Sequence, residues 1–343
     1  MKWIQGTDDR QEDRTMKMKM AILGAGGIAH KMAATISKME DVECYAIGSR
    51  DLSHAQEFAA QYGFTKAYGS YEEMLADDAI DLVYIAVPHS HHCEWTCAAL
   101  NAGRNVLCEK SFAVNEAEAR KMIELAESRH LLLAEAIWTR YMPSRDMIMK
   151  LVESGTIGRV RTVSANLGYH IEMNDRMTNP NLAGGALLDL TVYTLNFASM
   201  VWGDDIKKIS ASCVYTDTGV DGQDTVMLEY QDGRMASLFT TMYTLTNRMG
   251  LICGDEGFIE VENINNPGQI RVYAPDRDNP KLLASYDAPE QISGYEYEVL
   301  SCKKAIEEGR IECPEMPHSE TIQIMCQMDQ IRKQFGIVYP FEK

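Results

Sequence analysis

The sequence predicts an α/β protein of two parts, a doubly wound parallel-sheet domain followed by an α/β domain with a large, mostly antiparallel open sheet. Three observations predict it. Apolar strand patterns alternate with amphipathic helix patterns up to about residue 138. The first strand runs directly into a glycine-rich turn and a helix, Met20-Ala21-Ile22-Leu23-Gly24-Ala25-Gly26-Gly27-Ile28-Ala29. Beyond residue 203, strand patterns follow one another through turns such as Gln231-Asp232-Gly233.

In order, strand Met18–Leu23 is followed by helix Ile28–Met39, and strand Glu43–Ile47 by helix Ser53–Tyr62. A short helix near Tyr71–Ala76 precedes Leu82–Val87, a nearly continuous apolar strand. Helix His91–Ala102, strand Asn105–Cys108, helix Glu116–Ser128 and strand Leu131–Ala134 follow. Strands this apolar are buried on both faces, and the helices between them imply parallel order. Such sheets bind ligands beyond their C-terminal strand ends.

The pattern changes after residue 140. Helix Ser144–Glu153 stops at Gly155, strand Val160–Leu167 follows, and a polar loop over Gly168–Leu182 leads to helix Ala186–Val201, ended by Gly203. Six strands come next: Lys208–Tyr215, Gln223–Tyr230, Met235–Thr241, Arg248–Cys253, Gly257–Glu262 and Gln269–Val272. Helices Glu296–Glu307 and Ser319–Lys333 close the chain. An open antiparallel sheet needs cover on its second face, which predicts a homodimer or homotetramer formed through that sheet.

The Gly24-x-Gly26-x-x-Ala29 turn lies where a dinucleotide fingerprint requires it, after a strand and before a helix. Gly24 allows the tight turn, Gly26 the close approach of a pyrophosphate, and Ala29 close helix–strand packing. The phosphates then lie over the helix start at Gly27 and Ile28. The second strand ends in Gly48-Ser49-Arg50, with no acid where an NAD site usually has one, about 20 residues beyond the glycines. A hydroxyl and a guanidinium suit a 2′-phosphate, so NADP is favoured and NAD stays open. The other readings are a solvated Arg50 at a helix start and Asp51 as a helix cap or ribose ligand. The chain therefore divides into a flexible extension over residues 1–18, a Rossmann dinucleotide-binding domain over 19–140, and a substrate-binding and oligomerisation domain over 141–343.

At 343 residues and 45% apolar composition the chain supports two real cores. A net charge of −17 argues against nucleic acid and anionic membranes as partners. Nine cysteines lack paired-ligand spacing; Cys93 and Cys97 have no second pair to complete a zinc site. Reduced thiols in a cytoplasmic protein are the simplest reading. No apolar run reaches membrane-spanning length, and residues 1–18 lack the apolar core of a signal peptide, with Met16, Met18 and Met20 as alternative starts.

Four stretches converge if the sheet is assigned correctly: Val87-Pro88-His89-Ser90-His91-His92, Cys108-Glu109-Lys110-Ser111, Glu135 to Arg140 through Trp138, and Gly184-Gly185-Ala186-Leu187-Leu188-Asp189 continuing to Tyr193. Helical spacing puts Asp189 and Tyr193 on one face, the best acid/base pair opposite the cofactor. Each has a plainer reading: Lys110 as an exposed lysine, Tyr193 as a packed tyrosine, Asp189 as a structurally paired acid. His91 and His92 do not both face one ion, so no metal is expected. Trp138, Tyr169, His170 and Trp202 are candidate aromatic walls, or core packing.

Together these motifs resemble the glucose–fructose oxidoreductase / inositol dehydrogenase (Gfo/Idh/MocA) family over about residues 19–340, and most closely its dihydrodiol and xylose dehydrogenase branch. The resemblance implies hydride transfer between nicotinamide and a polyol, sugar or cyclic diol. It matches the family lysine to Lys110, the helix acid to Asp189 and the following His or Tyr to Tyr193, as general acid/base. It matches the histidine after the Pro-containing strand end to His92. Cofactor contacts are then expected from Gly24, Gly26, Gly27, Ile28, Ala29, Ser49, Arg50, Val87, Pro88, His89, His92, Glu109, Lys110, Trp138 and Arg140. Lys110, Arg176, Asp189 and Tyr193 would hold a small polyhydroxy substrate. Two departures stand out: Ser111 replaces the family proline, which is expected to loosen the cofactor loop, and His89 stands where Asn or Gln is commoner. The competing readings are a cofactor-binding regulator or redox sensor without turnover, and an NAD-dependent glycosidase of the same family.

Overall fold

Residues 17–342 are described by a computed structural model. The first domain alternates strand and helix: β1 (Met18–Leu23), α1 (Gly27–Ile36), β2 (Val42–Gly48), α2 (Leu52–Tyr62), β3 (Lys66–Tyr68), α3 (Tyr71–Leu75), β4 (Leu82–Ile85), α4 (His92–Asn101), β5 (Asn105–Glu109), α5 (Glu116–Arg129) and β6 (Leu133–Ala136). All six strands are parallel, in the order β3-β2-β1-β4-β5-β6. The strand order reverses between β1 and β4, which opens a crevice there. Asp51 caps α2 by accepting from the Ser53 and His54 amides, and Asn115 caps α5 through the Glu118 amide.

The second domain runs through α6 (Pro143–Glu153), β7 (Val160–Gly168), α7 (Asp175–Thr178) and a π-helical segment over Leu187–Thr191 that continues into α8 (Val192–Trp202). Strands β8 (Ile206–Tyr215), β9 (Asp221–Tyr230), β10 (Met235–Thr241), β11 (Gly250–Gly254), β12 (Gly257–Val261), β13 (Gln269–Ala274) and β14 (Lys281–Asp287) follow, then α9 (Glu296–Glu307) and α10 (His318–Phe335). The eight-stranded sheet has the order β14-β13-β12-β11-β7-β10-β9-β8 and is antiparallel except for β7 and β10.

Several expectations need correction. The extension expected over residues 1–18 falls mostly on residues outside the described ones; Met18 itself pairs with Val42 in β1. β3 and β14 are absent from the sequence reading because each is an edge strand without an apolar alternation; β14 is almost wholly exposed. β6 begins two residues later than predicted, so Glu135 lies within the strand. The C-terminal segment also bonds to the first domain. The Leu133 amide donates to the Ile311 carbonyl at 3.0 Å, and His318 Nε2 lies 2.8 Å from the Leu133 carbonyl, so the C-terminal segment covers the β6 edge.

Candidate active site

The crevice at the β1 and β4 ends is shaped for a dinucleotide. Gly24 has φ +106°, and a Cβ there would meet the Ala86 carbonyl at 2.5 Å. At Gly26 and Gly27 an added Cβ would meet nothing within 4 Å, and α1 has no side-chain cap. Gly26 and Gly27 are exposed and the first amides of α1 carry no side-chain cap, which suits phosphate oxygens. Ala29 is buried against the sheet, as close packing requires. Val87 and Pro88 are half-buried at the rim of this turn. At the β2 end Ser49 is buried and Arg50 exposed. Asp51 Oδ1 accepts from the Ser53 hydroxyl at 2.6 Å and from its capping amides, so Asp51 serves as a helix cap.

At the β5 end, Lys110 reaches into the second domain. Its Nζ donates to the Asp189 carbonyl at 2.8 Å and to Asp189 Oδ1 at 3.0 Å, and lies 4.9 Å from the centre of the Tyr193 ring. Arg176, from α7 ahead of the π-helical segment, donates to the same Oδ1 at 2.9 Å. His89 Nε2 approaches it at 3.9 Å, with Nδ1 held 3.1 Å from the Ala183 carbonyl. Burial would push the Asp189 carboxyl up; Lys110 and Arg176 outweigh it and hold the group well below the ordinary carboxylate range. Burial pushes the His89 ring down to about 3, so it is neutral near pH 7. Burial also raises the Tyr193 phenol well above its usual value, leaving a neutral hydroxyl.

One wall beside Tyr193 is aromatic. Trp138 stacks on Tyr295 at 4.3 Å, its indole N–H donates to Asn265 at 3.1 Å, and the Asn265 amide donates to the Tyr169 hydroxyl at 3.0 Å. Tyr295 and Asn265 are missed by sequence reasoning. The one available signal is Gly294, where a Cβ would come within 2.8 Å of the Trp138 ring. Trp202 lies elsewhere, edge-on to Tyr230, and His170 is exposed 3.4 Å from Glu172.

Geometry gives four of the expected residues partners within the protein. His92 is fully buried, and its two ring nitrogens face the Ser111 carbonyl at 2.7 Å and the Val87 carbonyl at 2.9 Å. Burial pushes its pKa down to about 4, so the neutral ring donates to one of them and braces two loops. Glu109 turns inward, accepting from the Tyr84 hydroxyl and from the Lys110 amide at 3.1 Å. Arg140 is buried, paired with Glu320 and donating to the Glu315 carbonyl at 3.3 Å. Ser111 does not loosen its loop: it is fully buried, and its hydroxyl donates to the Leu188 carbonyl at 2.6 Å.

Residues 18–136 match the family described as an oxidoreductase family with an NAD-binding Rossmann fold, and residues 146–260 match the GFO/IDH/MocA C-terminal domain. The trans-1,2-dihydrobenzene-1,2-diol dehydrogenase of Mus musculus is 32% identical over 333 residues, covering 96% of this chain and 100% of the relative. That of Danio rerio is 33% identical over 335 residues, covering 94% and 98%. Among solved structures, the 3-ketoreductase KijD10 of Actinomadura kijaniata, complexed with NADP and TDP-benzene, superposes with a TM-score of 0.84 at 23% identity, covering 92% of this chain and 97% of that one. Levoglucosan dehydrogenase complexed with NADH and levoglucosan gives 0.82 at 20% identity, covering 94% and 97%. At these identities the structural likeness speaks for the fold.

Proposed function

Since the chain belongs to the Gfo/Idh/MocA family of NAD(P)-dependent oxidoreductases, we propose that Lys110, Asp189 and Tyr193 handle the proton while a cyclic vicinal diol or sugar hydroxyl is interconverted with its carbonyl. The observation that carries this reading is the position of Lys110 Nζ, within 3.0 Å of Asp189 and over the Tyr193 ring. The nicotinamide, when bound, supplies or accepts the hydride. In the reducing direction the neutral Tyr193 hydroxyl gives its proton to the carbonyl oxygen, and the Lys110 ammonium stabilises the phenolate left behind. In the oxidising direction the same pair removes the hydroxyl proton. Asp189 keeps Lys110 in place, and the remaining N–H groups of Arg176, whose side chain is 39% exposed, are available to substrate oxygens. The Trp138–Tyr295 stack offers an apolar face to the ring of a cyclic substrate.

The diol preference is supported by the full-length similarity to the dihydrodiol dehydrogenases, and NADP over NAD by the exposed Arg50. A second copy of the chain covering the outer face of the eight-stranded sheet is supported by exposed Met227 and Met235 on β9 and β10. No helix among the described residues is long and apolar enough to cross a membrane. Nine cysteines without a disulfide suit a reducing, cytoplasmic setting.

The test is a panel of trans-cyclic diols, pentoses, hexoses and inositols, read by NADP reduction at alkaline pH. Turnover of a diol or sugar that falls on the order of 100-fold or more in kcat/KM for both K110A and Y193F is the expected result. Near-wild-type turnover in both variants overturns the site, and glycoside cleavage without net cofactor reduction overturns the reaction.

A further inference from the structure

Two acids on β9 lie outside the substrate cleft and have no part in the chemistry above. Asp221 and Asp224 are each 1% exposed. Asp224 shares the inward face of β9 with Val226, Leu228 and Tyr230, where an apolar residue is the ordinary occupant. Both acids meet the π-helical segment Leu187–Thr191, one at each end. Asp221 Oδ2 accepts from the Leu187 amide at 2.5 Å, and Asp224 Oδ2 accepts from the Thr191 hydroxyl at 2.7 Å. Thr191 has one proton and gives it to Asp224, so at 2.5 Å it accepts from the Thr240 hydroxyl of β10. A Cβ on Gly185 would come within 2.3 Å of Asp221 Oδ1, so that glycine makes room for the carboxylate.

Asp189 is the middle residue of this five-residue segment. A π-helical turn is rarer and less well bonded than an α-helical one, and it persists where outside contacts support it. Here the supports are Asp221 on Leu187 and Asp224 on Thr191 from the sheet side. From the first domain come Ser111 on the Leu188 carbonyl and Lys110 on the Asp189 carbonyl. Two acids in one buried site do not both ionise readily. Burial raises both carboxyls, Asp221 to about 6, and Asp224 Oδ1, which has no other partner, is the oxygen left to carry a proton.

We propose that Asp221 and Asp224 are positioning residues: they fix the two ends of the π-helical segment so that its central residue, Asp189, presents both its carboxylate and its carbonyl to Lys110. This rests on the reading of Lys110 and Asp189 given above. Neither acid touches the substrate or cofactor; each acts through Leu187 or Thr191.

The test compares wild type with D221A, D221N and T191V in the full chain, on the best substrate of the panel above. Expected for D221A and T191V is a loss of kcat on the order of 10-fold or more, with substrate KM and NADPH affinity within about two-fold of wild type. D221N, whose amide oxygen still accepts from the Leu187 amide, should recover much of the loss. A readout independent of turnover is the rate of Lys110 acetylation by an N-hydroxysuccinimide ester, followed by peptide mass spectrometry. It should rise in D221A and T191V, because Lys110 is no longer held twice by Asp189. A wild-type kcat and a wild-type acetylation rate in the folded variants overturn the proposal, as does a fall in melting temperature alone. Should D221A fail to fold, T191V, which loses only a hydroxyl, carries the comparison. If no substrate turns over but Lys110 acetylation still rises, the dehydrogenase reading fails and the positioning role stands.

Discussion

Lys110 holds Asp189 by two different groups at once, its side-chain Oδ1 at 3.0 Å and its main-chain carbonyl at 2.8 Å. The pair comes from different domains, Lys110 just beyond β5 and Asp189 within the π-helical segment, so this contact, with Ser111 on the Leu188 carbonyl, ties the two walls of the cleft together. A hydrogen bond to a helix carbonyl draws on an acceptor that a regular α-helix uses for itself. The widened π turn is where such a loan is structurally cheapest. Arg176 adds a second cation to Oδ1, so the buried acid is paired rather than isolated.

From that arrangement, D189N should lower kcat/KM on the order of 100-fold while the protein still binds NADPH, since the amide neither holds Lys110 by charge nor balances Arg176. Because the Asp189 pKa is depressed in the folded protein, its contribution to stability is present above the unfolded value of about 3.8 and is lost as pH falls below it. The D189N protein should therefore show a flatter melting temperature below about pH 4 than wild type. Stability curves of equal slope in that range would contradict the ion pair.

Arg50 is the exposed cation at the β2 end, next to buried Ser49 and the capping Asp51. R50A should weaken NADP binding by roughly 10-fold or more and leave NAD binding nearly unchanged, as expected when a phosphate loses a charge-assisted partner. Titration of both cofactors against both proteins measures it. Equal weakening of the two, or a wild type that prefers NAD, would show that Arg50 does not read a 2′-phosphate.

Arg140 separates a structural from a cofactor role. Its side chain is 2% exposed and paired with Glu320. R140M should lower the melting temperature, because it removes the bonds to Glu320 and to the Glu315 carbonyl, and should leave NADPH affinity within about two-fold of wild type. A large loss of NADPH affinity with unchanged melting temperature would restore the cofactor role.

Much of this was legible in the residues, and what was not has physical causes. The Gly24 turn and the continuous apolar strands around Leu82 and Val106 specify the parallel sheet through local sterics and burial, which a sequence displays directly. Lys110, Asp189 and Tyr193 could be singled out because polar groups beside apolar runs are conspicuous. His92, Glu109 and Arg140 could not be sorted from them. All three sit beyond or at strand ends in sequence, yet their side chains turn inward toward partners at Val87, Tyr84 and Glu320. That direction depends on long-range packing. The π-helical register of Leu187–Thr191 was hidden because the segment is buried on every side, which erases the periodicity that distinguishes helix types. Asp224 was visible in principle, as an acid on the core-facing parity of a strand.

The last prediction concerns Glu135, whose carboxyl is 2% exposed in β6. One oxygen accepts from Thr321 at 2.8 Å and the other has no partner. Burial pushes its pKa up from 4.5 to about 7. For an acid raised on folding the sign is the reverse of the Asp189 case. The folded protein binds the proton more tightly than the unfolded chain, so stability is fullest below the unfolded pKa and declines as pH rises toward the folded one. Across pH 4.5 to 7 this site should therefore withdraw stability on the order of 1–3 kcal/mol from the wild type. E135Q removes the titration while its amide oxygen can still accept from Thr321. Urea unfolding at pH 5 and pH 8 measures the effect, and the difference between the two pH values should shrink in E135Q. Other buried acids such as Asp221 add to the wild-type slope in both proteins and cancel in the comparison. An unchanged difference would mean that Glu135 does not take up its proton on folding.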